Sequence, residues 1–520
     1  MNMAYTLERR ASEAGDKIGL IFEDGSQFSF KEMDEMSSQA GNLFKSIGIK
    51  KNDRVGVYLQ NSPAYVMAMF GLWKIGAAIV PVNIMYKSGE LRHAFESTAV
   101  STVLTDSRYV DPLMEIRDVA RTVLLMGYSP RYAGDGVIDY DSQVKEQDKS
   151  CPAFVSKDKD VAAILFTGGT TGLPKGVITT HNGWDRTLSD LVYAHTGTKG
   201  FHELAEKEVP PNIIAFPLFH GVGQQSLLFA LRVGRSVLLM ERFKVKKYVE
   251  LVSKYKVRSL VLMPTAIFDL LSYEGSMDFS HVKSVTAIGQ QLDVMLKKRF
   301  EEKFKIPILV NYGSTEAGHV AGWTMKDIKK GLWKPGSAGK VYPGVNVEIR
   351  DDSGKALSPG RVGEVCVKSK VTLEGYAGDK NGSKKLIKDG WLYTTDVGYL
   401  DEDNVLFLLG RKREMIKCGG FQVWPPEIEE ALIKHPKIKH VAVLGVPDDR
   451  LGEMPKAYVV LNEKPFAQEL AGLEKDIIEY CRQNMAHFKA IRAVQFIDEM
   501  PRSDAGKVLK AQLREMYEDE

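Results

Sequence analysis

Residues 161–176 read VAAILFTGGTTGLPKG, an apolar run that breaks into glycines and threonines and closes on a single lysine. The first six residues have the unbroken hydrophobic character of a strand buried on both faces. The loop after them offers backbone N–H groups unobstructed at Gly168, Gly169 and Gly172, hydroxyls at Thr167, Thr170 and Thr171, and positive charge at Lys175. Glycines let a backbone approach an anion closely, and the lysine adds charge, so the loop is suited to phosphate. It is not a Walker A loop, which needs lysine directly after the last glycine and a hydroxyl next. Here Leu173 and Pro174 separate Gly172 from Lys175, and Gly176 follows. That spacing excludes a P-loop kinase or GTPase.

Outward from this loop the same texture recurs. Residues 29–48 have helical spacing with Gly48 as a stop, and DRVGVYLQN reads as a strand. AYVMAMFGLWKIGAAIVPVN then reads as an apolar helix and a short buried strand. STVLTD, RTVLLMG, NIIAFPL, RSVLLME, RSLVLMP, SVTAIG and PILVNYG continue the alternation. Short buried strands separated by helices predict parallel sheets covered on both faces. After about residue 335, segments such as NVEIRDDSGKALSPGRVGEVCVKS alternate polar and apolar around Asp/Gly/Pro turns, the pattern of antiparallel strands. Beyond Arg411 a compact α+β unit follows. The expected fold class is α/β: a large N-terminal domain of mixed parallel sheets flanked by helices plus a small β-barrel-like part, then a small mobile α+β C-terminal domain. The expected boundaries are 1–410, a hinge at 411–413 where a glycine and clustered charge mark a linker, and 414–520.

The bulk numbers agree with a globular enzyme. The 520 residues are 44% hydrophobic and 26% charged, and exceed one ordinary core. A net charge of +3 points to neither nucleic acid nor an anionic membrane. Four cysteines without paired spacing argue against a disulfide framework or a cysteine zinc site and suit a reducing compartment. The first residues lack the apolar segment of a signal peptide, and no stretch is long enough to cross a bilayer, so a cytoplasmic location is expected.

Four further motifs accompany the loop in order: NYGSTE (311–316), YTTD (393–396), GRKREMIKCGGFQV (410–423) and PRSDAGKVLK (501–510). Each alone is weak; together at these spacings the chain resembles the adenylate-forming acyl-CoA synthetase family, from about residue 54 to Lys507. The resemblance implies ATP, Mg2+ and CoA as co-substrates or cofactors and a small-molecule carboxylic acid as partner, with a homodimer left open. A carboxylate resists nucleophilic attack; making it a mixed anhydride with AMP removes the obstacle, and a thiol then displaces AMP. That first step brings an anion to a polyanion and needs cations, a metal ligand and hydrogen-bond donors.

By this resemblance Thr167, Gly168, Gly169, Thr170, Thr171, Gly172 and Lys175 hold the outer phosphates, although Gly168 stands where serine is usual. Tyr312 stacks on adenine, Thr315 contacts phosphate, and Glu316 holds the magnesium as a hard oxygen ligand. Gly289, Asn311 and Gly313 border the nucleotide. Asp396 grips the ribose hydroxyls with help from Arg411, Thr395 replacing the usual glycine. Lys417 and Gln422 match positions that contact nucleotide or carboxylate, and Lys507 bridges the attacking carboxylate and the α-phosphate. Arg413 falls at the hinge of a rotating C-terminal domain, and Gly419 and Gly420 border the pantetheine tunnel. Cys418 lacks a histidine partner nearby and is read as a bystander.

The acyl pocket is implied at His220, Gln224, Gln290, Asn311 and His319. Gln224 stands where some long-chain enzymes carry a gating tryptophan. If the substrate satisfies these polar side chains, it is an aromatic, hydroxylated or otherwise polar acid. If they satisfy one another, it is a plain medium- or long-chain fatty acid, the reading given more weight. Two alternatives stay open: an enzyme that passes its acyl adenylate to a carrier protein, and a degenerate acyl or nucleotide binder without turnover.

Overall fold

Segment by segment, the short apolar runs form strands in a computed structural model of the protein. It describes residues 1–150, 157, 159–167, 174–197, 200–202, 209–369, 375–379, 386–418, 421–463, 466–503 and 506–518. The opening apolar run is the strand Val161–Thr167. It lies near one edge of a seven-stranded sheet in the order Val137–Asp139, Thr122–Met126, Thr102–Asp106, Arg54–Tyr58, Ala78–Pro81, Val161–Thr167, Lys175–Thr180. Every neighbouring pair is parallel except the last, which is antiparallel, with Thr167 paired to Lys175.

Helix Phe30–Ser46 begins on a capping box, Ser29 accepting from the Glu32 N–H while Glu32 accepts from Ser29. It crosses helix Pro63–Lys74 closely enough that a Cβ on Gly71 would lie 2.6 Å from the Ser37 carbonyl oxygen. Trp73 on the second helix is fully buried and donates its indole N–H to the Ala162 carbonyl at 2.8 Å. Packing thus ties the helices to the strand that leads into the phosphate loop.

A four-stranded sheet, Asn212–Ile214, Val237–Leu239, Ile18–Phe22, Gln27–Ser29, stands beside a ten-stranded one. The latter begins with parallel strands Ser259–Leu262, Ser284–Ala287 and Ile308–Ser314. It then turns antiparallel at the hairpin to Gly318–Gly322 and continues through Ser337–Val341, Val405–Arg411, Trp391–Leu400, Gly363–Ser369 and Val345–Arg350, with the short tenth strand Ile387–Lys388 paired to Trp391–Leu400. The antiparallel strands expected after residue 335 are therefore joined edge to edge onto the parallel ones. The hairpin is the seam, pairing on one side with each type.

Past Arg411, one turn of 3-10 helix, Lys412–Glu414, leads into a separate five-stranded sheet. It is built from Phe421–Val423, Ile416–Cys418, Gly452–Leu461, Ile438–Asp448 and Ala493–Phe496, with helices Pro425–Leu432 and Leu470–Asn484 over its own core. Among the described residues, no helix is long and apolar enough to cross a membrane.

Candidate functional site

Three groups of side chains converge where the sheets and the C-terminal unit meet. The first gathers at the phosphate loop. Thr167 and Lys175 frame it; Gly168, Gly169, Thr170, Thr171 and Gly172 lie outside the described residues. NYGSTE occupies the end of strand Ile308–Ser314 and the turn beyond, with Thr315 and Glu316 at the tip. The turn is tight because residue 313 is glycine: a Cβ there would sit 2.2 Å from the Gly318 carbonyl oxygen. Glu316 Oε1 accepts from the Tyr376 hydroxyl at 3.1 Å and lies 3.5 Å from Thr167 Oγ1. Lys175 Nζ is 3.4 Å from Asp379 Oδ2 and 5.4 Å from the centre of the Tyr376 ring. Burial, followed by the Glu316 carboxylate, pushes the Tyr376 phenol up, so it remains a donor.

The donors at Glu316 are one carboxylate and two hydroxyls, all hard oxygens. They fit Mg2+, which takes few protein ligands and completes its shell from phosphates and water. The described residues hold no group of three His, Cys, Asp or Glu that would make an all-protein cage.

The second group lies further along the same hairpin. Tyr312 donates its hydroxyl to Asp396 Oδ2 at 2.6 Å, and Arg411 Nε meets Asp396 Oδ1 at 3.2 Å. Both oxygens of Asp396 are thereby aimed. Burial and then the Asp396 charge raise the Tyr312 phenol well above its ordinary range. Thr395, just before it, adopts φ +63°, the left-handed conformation that favours glycine.

Lys507 approaches from the C-terminal unit. Its loop is held by Ser503, whose hydroxyl accepts from the Lys507 N–H at 3.2 Å and whose N–H donates to the Lys507 carbonyl at 2.8 Å. A Cβ on Gly506 would lie 2.3 Å from Thr265 Oγ1, so only glycine lets this loop dock against helix Pro264–Ser272. Phe268 and His440 pack across the same junction at 4.7 Å between ring centres. The Lys507 ammonium stands in the electrostatic field of Arg411, Glu414, Arg413 and Asp396. Although Lys507 is exposed at the cleft surface, desolvation by the surrounding protein, then Arg411, brings it down to about 8. Arg413 lies in the 3-10 turn. Lys417 and Gln422 are exposed, directly opposite one another across two short strands. Gly419 and Gly420 lie outside the described residues, and Cys418 is buried and free.

The third group holds no carboxylate, lysine or arginine. His220 caps helix Gly221–Arg232, its ring 4.7 Å from that of Phe219, and burial lowers it to about 4, so the imidazole is neutral. His319 Nδ1 lies 3.2 Å from Asn311 Oδ1 and its Nε2 lies 3.0 Å from Gln225 Oε1. Asn311 Nδ2 in turn donates to the Tyr342 hydroxyl at 3.1 Å. Two amides therefore use both ring nitrogens of His319. Gln224, expected in the acyl pocket, is instead enclosed, donating to the Leu218 carbonyl at 2.9 Å. Helical spacing turns its neighbour Gln225 towards His319. Gln290 follows Gly289, which has φ +90°, and its Nε2 is buried without a hydrogen-bond partner.

Sequence reasoning missed Tyr376, Asp379, Gln225 and Tyr342. The first two follow a glycine in LEGYAGD, a turn-like stretch that is a weak signal at best. The other two have none, since a lone glutamine or tyrosine in a helix or strand is usually packing.

The model of the AMP-binding enzyme family matches residues 7–377, and that of the AMP-binding enzyme C-terminal domain matches 427–507. A crotonobetaine/carnitine–CoA ligase of Salmonella typhimurium is 32% identical over 99% of both chains. A 4-coumarate–CoA ligase of Humulus lupulus is 31% identical over 94% of this chain and 89% of its own. Among solved structures, the anthranilate CoA ligase AuaEII in complex with anthranoyl-AMP superposes with a TM-score of 0.88 at 25% identity. That alignment covers 100% of this chain and 97% of the other.

Proposed function

The chain belongs to the AMP-binding enzyme family, the adenylate-forming acyl-CoA synthetases, and from that premise we propose that it is an ATP-dependent acid–CoA ligase. In the first half-reaction a carboxylate oxygen bonds to the α-phosphorus of ATP and the bond to the β-phosphate bridging oxygen breaks, releasing pyrophosphate. In the second, a CoA thiolate attacks the acyl carbon and AMP leaves. One observation carries the reading: a Lys507 cation, an aimed Asp396 carboxylate and an oxygen cluster at Glu316 share one cleft. Their order suits the carboxylate and α-phosphate, the ribose, and the outer phosphates of one ATP.

Asp396 accepts hydrogen bonds from the ribose hydroxyls, Arg411 holding its second oxygen. Lys507 neutralises the approaching carboxylate and the α-phosphate, supplying charge where repulsion peaks. Glu316, steadied by the Tyr376 hydroxyl and close to Thr167, would hold Mg2+, which would supply charge neutralisation on the phosphates. Thr315 and Lys175 steady the departing pyrophosphate. For the second half-reaction the C-terminal unit (414–520) turns about residues 411–413, withdrawing Lys507 and bringing Gly419 and Gly420 to the thiol.

The acid is a medium- or long-chain fatty acid. This reading is supported by the closed Gln225–His319–Asn311–Tyr342 chain, which leaves no ring nitrogen of His319 unused. An aryl acid is the second reading, favoured by the likeness to the 4-coumarate ligases. Pyrophosphate release over a panel of fatty, aryl and hydroxylated acids, with and without CoA, tests both. Release that rises with CoA establishes the ligase and identifies the acid; release indifferent to CoA replaces the ligase with a carrier-loading enzyme.

A further inference from the structure

Strand Trp391–Leu400 does not pair evenly with Gly363–Ser369. Glu364 faces Val397 and Cys366 faces Tyr393, so residues 394–396 stand together opposite Val365. Such a bulge removes ladder partners from backbone groups that must then be met elsewhere. Side chains meet them here. The Thr394 hydroxyl donates to the Val365 carbonyl at 2.8 Å and accepts from the Asp396 N–H at 3.1 Å. The Thr395 N–H donates to Glu364 Oε1 at 3.2 Å. Thr395 is also the residue at φ +63°, costly for a β-branched side chain. The Glu364 side chain is only 12% exposed, and its other oxygen lies 3.2 Å from Lys412 Nζ. Lys412 belongs to the turn between the two parts of the chain and also meets Asp352 at 2.7 Å.

We propose that Glu364 is a positioning residue of the nucleotide site: its carboxylate stands in for the missing strand partner, holds the strained Thr395 peptide, and so aims Asp396. The inference rests on the reading that Asp396 holds the ribose. A peptide at φ +63° on a threonine relaxes unless something fixes its N–H, and Asp396 is the next residue. The ion pair with Lys412 holds the carboxylate turned inward but does not itself aim Asp396. The two contributions are therefore separable.

The test is steady-state adenylation kinetics of the full chain with E364A, E364Q, K412A, D396A and the double variant E364A/T395G. E364A raises KM for ATP about tenfold, the loss set by an unmet peptide N–H, while KM for the acid stays within about twofold. E364Q still offers an amide oxygen to Thr395 and raises KM for ATP less. K412A also falls short of E364A. E364A/T395G recovers most of the loss, because glycine holds φ +63° without strain. Should E364A fail to fold, E364D, which withdraws the carboxylate by one methylene, carries the same expectation. The inference is overturned if E364A or E364D leaves KM for ATP within about twofold of the parent, or if K412A equals it, or if T395G brings no recovery. D396A reports on the underlying reading alone: an unchanged KM for ATP there removes the ribose role of Asp396, whatever Glu364 does.

Discussion

The side of this cleft proposed to take the nucleotide and the side proposed to take the acid are built on opposite electrostatic plans. Towards the nucleotide, charged groups stand in alternation: Asp396 between Tyr312 and Arg411, Lys507 beside Arg411 and Glu414, Lys175 against Asp379, Glu316 against two hydroxyls. Towards the acid stand a neutral His220 and a hydrogen-bonded chain of Gln225, His319, Asn311 and Tyr342, with no carboxylate, lysine or arginine among them. Polyanionic ATP can be held only by charge and oriented donors, whereas an acyl tail asks merely that every buried polar group already have a partner. On the proposed reading, reaction type therefore resides on one side and substrate choice on the other.

The comparison breaks first at Lys507. Lys507→Ala lowers the rate of adenylation by about a hundredfold or more, as loss of a preorganised charge does. Thioester formation from a supplied acyl adenylate survives. Equal loss of both would make Lys507 a structural residue; pyrophosphate exchange and thiolysis assays separate the cases. Next is pH. Lys507 with its ammonium near 8 is charged below that value and loses the charge as pH rises through it, so kcat/KM for adenylation falls on the alkaline side of about 8. Thiolysis of supplied acyl adenylate lacks that limb. A shared alkaline limb would assign it elsewhere.

Smaller effects sharpen the division. Tyr376→Phe removes one donor from Glu316 and raises the Mg–ATP concentration for half-maximal adenylation about three- to tenfold, with acid preference unchanged. Gln225→Leu leaves a ring nitrogen of His319 without its partner. It costs about 1–3 kcal/mol of unfolding free energy and alters the ranking of acids without altering KM for ATP. A shift in ATP affinity instead would mean the two sides are coupled through the strand they share. Smallest is Cys418→Ala, a buried thiol with no role in either half-reaction, which leaves both rates within about twofold.

Legibility followed the same line. NYGSTE could be read because Tyr312, Thr315 and Glu316 crowd into one turn, where a short motif carries its own geometry. The partners of those residues could not. Tyr376 is 60 residues from Glu316, Gln225 is 94 from His319, and Glu364 is 31 from Thr395. Apart from the turn-like stretch before Tyr376, nothing in their local pattern departs from ordinary packing. Gln224 shows the converse: its identity suggested the pocket, but one helical step of 100° separates the residue that faces the core from the one that faces His319. For Thr395 the departure from glycine was visible, whereas the carboxylate that tolerates it was not.

By itself the sequence determined the parallel α/β character, the break to antiparallel strands and the non-Walker spacing of the Gly/Thr loop, and it singled out Lys507, Asp396 and Glu316 as the candidates on which the proposed chemistry rests. These rest on periodicity and on motifs short enough for covalent spacing to set their geometry. Only the tertiary structure decided that the antiparallel strands join the parallel sheet at the Ile308–Gly322 hairpin. It also decided that the docked C-terminal unit sets Lys507 beside Arg411, and that His319 and Asn311 bond to Gln225 and Tyr342 while Gln290 Nε2 is left buried without a partner. The physical reason is common to all three: a hydrogen bond or charge pair is decided by which surfaces meet, and meeting is a property of the packed chain.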